Sequence, residues 1–329
     1  RRGEEAAIAE VGANEQDART VALSLISDLG QSYFHIRELD EQIEIATRTV
    51  AVRQEALDII KKRAAVGLAS DLDVARTDVL LAEAAGLIPD LIRSRAMELH
   101  RLEVLTGSSP GTVDLPRKSL GATVTQPEIP VGLPSQLLER RPDILQSEAT
   151  LIAANARIGQ ARAYFFPTLS ITGQGGLQSA EFANWFSGNS WNYSIGPSIT
   201  LPIFLGGTNV ARLDQAESRY QQMLESYRQT ILQAFREVAD LLVSLQNRAE
   251  QLARQREQLT AARTAVTLAT VRYRKGLVNY LDVLDAQRGA LTAETQVVLT
   301  ERARLTDMVS LFKALGGGWK QPASAISPS

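Results

Sequence analysis

The 329-residue sequence contains no cysteine and only two histidines, His35 and His100. Without thiols there can be no disulfide framework, thiolate zinc site, iron–sulfur cluster or cysteine nucleophile. Two imidazoles leave little raw material for a metal centre or a Ser-His-Asp triad, and His100 with Glu103 reads as a solvated helix face. No metal, cofactor or enzymatic chemistry is expected. Aromatic residues are 5% of the chain against 44% hydrophobic. Alanine, leucine and valine must therefore carry the packing, which favours close helix–helix contact. Neither sign of charge is in excess, with 35 basic and 37 acidic residues for a net of −2, so the basic stripe of a nucleic-acid binder is missing. No apolar run of about 18 residues occurs, which excludes a transmembrane helix. Arg1-Arg2-Gly3-Glu4-Glu5 is not followed by the apolar stretch of a signal peptide. A membrane-spanning β-strand needs only about 9–11 alternating residues, so these absences say nothing against a barrel.

What is present is long-range helical periodicity. Residues 2 to 66 hold no proline, and Ala22, Leu29, Ile36, Ile43, Val50 and Leu57 recur seven apart. Sustained sevenfold spacing predicts a coiled-coil-like seam. At about 1.5 Å per residue one such helix is roughly 100 Å long, which implies an elongated object. Gly67 is the expected left-handed C-cap, Ser70 or Asp71 the N-cap of a second helix from Leu72 to Thr106. Gly107-Ser108-Ser109-Pro110-Gly111 closes it, and residues 112 to 134 look irregular.

The design returns at a constant offset of 209 positions. Leu224, Ile231, Val238, Leu245, Leu252, Leu259 and Val266 form a second seam, broken at Gly276 and closed at Gly316. Arg63 aligns with Arg272, Gly67 with Gly276, Leu72-Asp73-Val74 with Leu281-Asp282-Val283, and Gly107 with Gly316. Shared leucines and charges can arise by chance in coiled coils, but two matched glycines around a Leu-Asp-Val indicate an internal duplication.

Between the repeats, Pro142 sits where a helix begins, and that helix is expected to run to about Tyr164. The period then changes to two. Thr168, Ser170, Thr172 and Gln174 alternate with Leu169, Ile171 and Gly173. Beyond a polar loop from Glu181 to Ser190, Trp191, Tyr193, Ile195, Pro197, Ile199, Leu201 and Ile203 share one face. The opposite face carries Asn192, Ser194, Gly196, Ser198 and Thr200. Such a hairpin fits either a half-buried sheet in water or a membrane strand pair with a lipid side and a lumen side. A lone hairpin is marginal in water, and nothing else in the sequence reads as strand. The membrane reading makes Leu169, Ile171, Trp191, Tyr193, Ile195, Ile199 and Leu201 lipid-facing, with Trp185, Phe186 and Trp191 near an interface belt.

The second repeat is preceded by helix, strand, loop and strand over about 135 to 207; the first begins at Arg1. Symmetry leads us to expect an upstream continuation of about 70 residues or more with a second hairpin. Four strands are too few for a closed membrane barrel, for which known examples start at eight. Open edges in lipid are prohibitive. Two chains would supply eight strands and three would supply twelve, so an obligate oligomer is expected. Three copies of residues 1–329 alone, with six strands between them, would not suffice.

Several motifs carry a resemblance. Leu137-Leu138-Glu139-Arg140-Arg141-Pro142-Asp143-Ile144, Tyr164-Phe165-Phe166-Pro167-Thr168-Leu169-Ser170, Leu201-Pro202-Ile203-Phe204 and Ala314-Leu315-Gly316-Gly317-Gly318-Trp319 resemble outer-membrane efflux factors of the TolC/OprM type, NodT-like branch. Arg272-Tyr273-Arg274-Lys275-Gly276 with Asn279-Tyr280-Leu281-Asp282-Val283-Leu284-Asp285-Ala286-Gln287 resembles that branch's second hairpin tip. The resemblance implies a mainly α protein with a small β part: a long α-helical barrel of coiled-coil hairpins plus transmembrane β-barrel strands, duplicated and assembled as a homotrimer. It implies a location in the outer membrane of a Gram-negative bacterium, extending into the periplasm. The partners it implies are outer-membrane lipid, a periplasmic membrane-fusion adaptor and an inner-membrane pump of the resistance-nodulation-division type. An upstream lipid-bearing cysteine belongs to the same pattern. Such a channel carries drugs or other toxic compounds; a duct for type I protein secretion and, more distantly, a soluble coiled-coil scaffold are the alternatives.

The expected organisation is a first helical hairpin over 1–107, a connector over 108–134, a helix over 135–164 and a transmembrane hairpin over 165–207. A second helical hairpin over 208–316 and a tail over 317–329 follow. The resemblance makes the exposed edges Val66-Gly67-Leu68 and Lys275-Gly276-Leu277 the adaptor-docking tips. The periplasmic gate is expected where the repeats differ: Tyr273 aligns with Ala64, and Asp285 with Arg76. A ring of carboxylates at a constriction favours cations and offers partners to arginines. Arg272, Tyr273, Asp282 and Asp285 are therefore the candidate gate, against the reading that they are ordinary surface charges of a hairpin.

Overall fold

A computed structural model of the chain describes residues 1–120, 139–180, 183, 186 and 191–317. Its elements are α1 (Arg2–Ala65), α2 (Asp71–Leu105), α3 (Pro142–Ala163), β1 (Thr168–Leu177), β2 (Trp191–Thr200), α4 (Thr208–Arg274) and α5 (Tyr280–Ala314). Among the described residues the protein is mainly helical with one small sheet, as the periodicities require. The connector is described only to Leu120 and the tail only at Gly317. Most of the loop 181–190, including Trp185, lies outside the described residues, as do Leu137, Leu138, Gly318 and Trp319 of the quoted motifs.

Helix α1 runs 64 residues and α4 runs 67, each without a proline. Their sevenfold positions line up as seams. Ile36, Ile43 and Leu57 are buried in α1, and Leu252 is buried in α4; the other seam residues are half-buried. Each fully buried aliphatic side chain contributes about 1.5–3 kcal/mol. Gly30 marks a close approach, because a Cβ there would stand 3.3 Å from Val309 Cγ1 of α5.

The duplication is visible in the hydrogen bonds. Four helix ends close in the same way, on a glycine with φ of 73°, 73°, 72° and 86° at Gly67, Gly107, Gly276 and Gly316. The amide after each glycine reaches back to the helix: Leu68 to Arg63 O at 2.8 Å, Ser108 to Glu103 O at 2.8 Å, Leu277 to Arg272 O at 2.9 Å, Gly317 to Phe312 O at 2.9 Å. The glycine amides bond Ala64 O, Val104 O, Tyr273 O and Lys313 O. This paired pattern satisfies orphan carbonyls and requires a left-handed residue, which only glycine adopts cheaply. The two following helices start alike. Ser70 Oγ accepts from the Asp73 amide at 3.2 Å and Asn279 Oδ1 from the Asp282 amide at 3.2 Å. In the first case Asp73 bonds back to Ser70, completing a capping box.

Two compact units divide the chain: residues 1–18 with 142–232, and residues 19–141 with 233–329. In the first, α3 lies along the start of α1 on small residues, with Ala6, Ala13, Ala153, Ala154, Ala156 and Ala161 buried. Arg157 pairs with Glu10, and Gln146 Nε2 donates to Asp17 Oδ1 at 3.1 Å. The β1–β2 hairpin also belongs to this unit.

The second unit contains the helical hairpin ends and the start of the connector. Ionised side chains of the first repeat grip the connector backbone. Arg95 donates to Asp40 at 2.6 Å and to Leu115 O at 2.7 Å. Arg37 donates to Asp40 at 3.0 Å and to Pro116 O at 2.6 Å. Glu103, fully shielded from solvent, accepts from the Gly111 amide at 2.8 Å and the Val113 amide at 2.7 Å. Those amides hold its carboxyl below the usual glutamate range.

Candidate channel tip and membrane hairpin

The ends of α1 and α4 and the starts of α2 and α5 meet in one cluster. Ile60, Tyr280, Val283 and Leu284 form its buried centre, with Ala56, Ala69, Val74, Leu80, Ala269 and Tyr273 packed around them. The two expected tips are therefore neighbours within one chain. The Arg63 guanidinium lies 4.8 Å over the Tyr273 ring, and the Tyr273 and Tyr280 rings are 5.0 Å apart at 56°. Burial raises both phenol pKa values; at Tyr273 Arg63 opposes the shift and Asp73 adds to it. Arg53, also buried, donates to the Leu80 carbonyl.

The candidate gate residues take distinct positions around this cluster. Tyr273 is half-buried in it, whereas Arg272, Asp282 and Asp285 are exposed. Asp285 pairs along its own helix with Arg288 at 2.7 Å, both side chains being open to solvent. Asp282 is fixed by the Asn279 cap. Among the described residues neither Arg272 nor Asp282 forms an ion pair within the chain. Asp285 and its repeat-mate Arg76 line one groove of about 410 Å³ between α2 and α5, floored by Val79, Leu80, Leu281 and Leu284. The edges expected to dock an adaptor are open to solvent: Val66, Leu68 and Leu277 are exposed, and nothing stands within 4 Å of a Cβ built on Gly67 or Gly276.

The hairpin sorts its side chains strictly. Antiparallel register pairs Thr168 with Thr200, Ser170 with Ser198, Thr172 with Gly196, Gln174 with Ser194 and Gly176 with Asn192. The alternate pairs are Leu169 with Ile199, Ile171 with Pro197, Gly173 with Ile195, Gly175 with Tyr193 and Leu177 with Trp191. Successive residues point to opposite faces, so one face is uncharged and polar and the other apolar. The Ser170 and Ser198 hydroxyls meet at 2.7 Å on the polar face. All apolar-face residues named from the sequence are exposed. Leu201 follows β2, which stops at Thr200 before Pro202.

A family model described as outer membrane efflux protein matches residues 1–108 and 133–317. The chain belongs to the outer membrane efflux protein family. It is 35% identical over 322 residues to the outer membrane protein OprJ of Pseudomonas aeruginosa, covering 98% of this chain and 67% of that protein. The solvent efflux pump outer membrane protein SrpC of Pseudomonas putida is 37% identical over 307 residues, covering 93% of this chain and 65% of SrpC. The chain thus spans about two thirds of the length of these curated relatives. Its fold is similar to that of the outer-membrane channel OprN, with a TM-score of 0.91 at 33% identity over 97% of this chain and 72% of OprN.

Family membership agrees with the motifs quoted from the sequence. It does not by itself identify the side chains that make up the tip of this efflux protein. Two of them escaped the sequence reading. Tyr280 is buried in the cluster, and Arg63 caps the Tyr273 ring. The alignment of the repeats held the signal for Tyr280, since Asp71 occupies its place in the first hairpin.

Proposed function

We propose that this protein acts as the outer-membrane channel of a tripartite efflux system, passing small toxic molecules to the exterior. The observation supporting the reading is the hairpin register, which sorts an apolar face suited to lipid from an uncharged polar face suited to a water-filled lumen. In this reading residues 165–207 cross the outer membrane, while 1–107 and 208–316 form helical hairpins of a periplasmic α-barrel. The segment 108–134 is the equatorial connector, 135–164 the helix leading into the membrane, and 317–329 the tail. Two strands leave open edges that lipid does not tolerate, so several copies share one barrel, and a homotrimer is the assembly.

A periplasmic adaptor docks on Val66-Gly67-Leu68 and Lys275-Gly276-Leu277, where exposed Val66, Leu68, Lys275 and Leu277 flank open glycines. It links the channel to an inner-membrane pump of the resistance-nodulation-division type. The cargo is set by that pump. SrpC is named for solvents, and this channel takes compounds of similar size. Arg272, Tyr273, Asp282 and Asp285 close the tip. Asp282 and Asp285, repeated around a trimer axis, make carboxylate rings that attract cations. Tyr273 holds the second hairpin against Arg63 of the first.

Outer-membrane fractionation and the detergent-solubilised mass of the natural gene product test the channel reading. A trimer in that fraction supports it, and a soluble monomer overturns it. The gate is tested by single-channel conductance of a Tyr273→Ala, Asp285→Asn double variant. Conductance is expected to rise several-fold, and an unchanged value sinks the gate assignment.

A further inference from the structure

The chain changes character abruptly where the hairpin joins the helices. Between Arg162 and Arg212 the sequence carries a single charge, Glu181, which falls in the sequence between the two strands. The joined end of the hairpin instead exposes apolar and aromatic side chains: Phe166 and Phe165 before β1, Ile203 and Phe204 after β2. Ile203 is 91% exposed and Phe204 87%, too much for side chains that meet only water. Arg212, the first charge after this belt, stands over the Tyr164 ring with its guanidinium 5.1 Å from the centroid.

That stack is held from behind. Asn209, 8% exposed, donates its amide to the Tyr164 carbonyl at 2.8 Å. Gly206 and Gly207, with φ of 56° and 83°, turn the chain back into α4. The first turn of α4 contains no acidic residue, so its positive end is uncompensated. Among the described residues no carboxylate forms an ion pair with Arg212. Arg162, the last charge before the belt, meets Glu217 at 3.4 Å, with both side chains open to solvent. A flat cation fixed on an aromatic face, with bare apolar side chains on its membrane side, matches an anion attached to acyl chains. Guanidinium pairs with phosphate through two parallel hydrogen bonds.

We infer that Tyr164 and Arg212 form a headgroup site for an anionic glycerophospholipid of the inner leaflet. Arg212 takes the phosphate, and Phe166, Ile203 and Phe204 lie along the upper acyl chain. The inference rests on the hairpin being in the membrane. It locates the depth of the protein in the bilayer at this shelf, because aromatic and arginine side chains prefer the interface.

The test uses protein extracted from outer membranes and placed in nanodiscs containing equal phosphatidylglycerol and phosphatidylcholine, with retained lipid counted by native mass spectrometry. Wild-type protein is expected to keep phosphatidylglycerol in about fivefold preference, the effect of one interfacial arginine. Arg212→Gln should abolish that preference with the oligomer mass unchanged. Arg219→Gln, on the same helix and already bonded to Gln222, should retain it. Equal lipid retention by wild type, or an undiminished preference in Arg212→Gln, overturns the site. So does wild-type protein that carries inorganic phosphate instead of lipid. Protein missing from the outer-membrane fraction defeats the membrane reading itself, a separate result from a membrane protein without preference.

Discussion

The two helical tips have the same backbone and different side chains. Both end their incoming helix on a left-handed glycine, both bond the next amide back to an arginine carbonyl, and both begin the outgoing helix with a side-chain cap. Ala64, Asp71 and Arg76 of the first hairpin are replaced by Tyr273, Tyr280 and Asp285 in the second. The duplication thus kept what fixes the chain path and changed what fills the space between the hairpins. The aromatic pair and the carboxylate all sit in the second hairpin, and the first contributes Arg63 as a cover. The tip is consequently asymmetric in chemistry while symmetric in geometry.

The two tips differ most at Tyr280. Tyr280→Ala empties a buried aromatic site and is expected to cost about 3–5 kcal/mol, whereas Asp71→Ala at the matching position costs less than about 1 kcal/mol. Chemical unfolding or hydrogen exchange across the tip measures both, and equal losses would deny the asymmetry. A second contrast lies at the other helix ends. Gly107→Ala should cost about 1–2 kcal/mol for its left-handed backbone alone. Gly316→Ala should cost more, because its Cβ would stand 2.8 Å from the Arg140 carbonyl oxygen. Similar melting temperatures for these two variants would count against that contact.

The smallest effect is local and depends on pH. Glu103 binds connector amides, and its counterpart in the second repeat is Phe312. Its native pKa is depressed, so its contribution is complete above the unfolded value of about 4.3. It is lost as pH falls through the lower native value. Protection of the Gly111 and Val113 amides, relative to their intrinsic exchange rate at the same pH, should fall on acidification below about pH 4, and in Glu103→Gln at neutral pH. Protection of those amides that does not change with pH would show that the connector is held by other contacts.

Much of this was legible because it is governed by local rules. The left-handed glycines, the caps at Ser70 and Asn279, the sevenfold seams and the two hairpin faces follow from backbone sterics and periodicity. The alternation of the second strand continues in the sequence through Leu201 and Ile203, but the ladder ends at Thr200, whose partner Thr168 is the first residue of β1. The stack of Arg63 on Tyr273 was not legible, since it depends on which helices become neighbours. Nor was the grip on the connector, whose backbone partners show no period. Asp285 with Arg288 is an i,i+3 pair that helix geometry allows, and it runs along one helix where a gate calls for partners across helices. Partners for Arg272 and Asp282 from other copies belong to the proposed assembly.

The spacing of the four capping glycines also limits how this protein can evolve. Gly67 to Gly107 and Gly276 to Gly316 span the same number of positions. A single inserted residue in either arm would rotate every later side chain by about 100° around its helix. That would turn later buried positions, such as Ala84 and Leu102 in α2 or Ala293 and Leu305 in α5, away from their neighbours and leave the arms unequal. Substitution is open to these arms, but gain or loss of residues is not, unless it comes in whole heptads and in both arms together. Within the family, sequence divergence should therefore accumulate in the arms as replacements, with length variation confined to the connector, the loop between the strands and the tail.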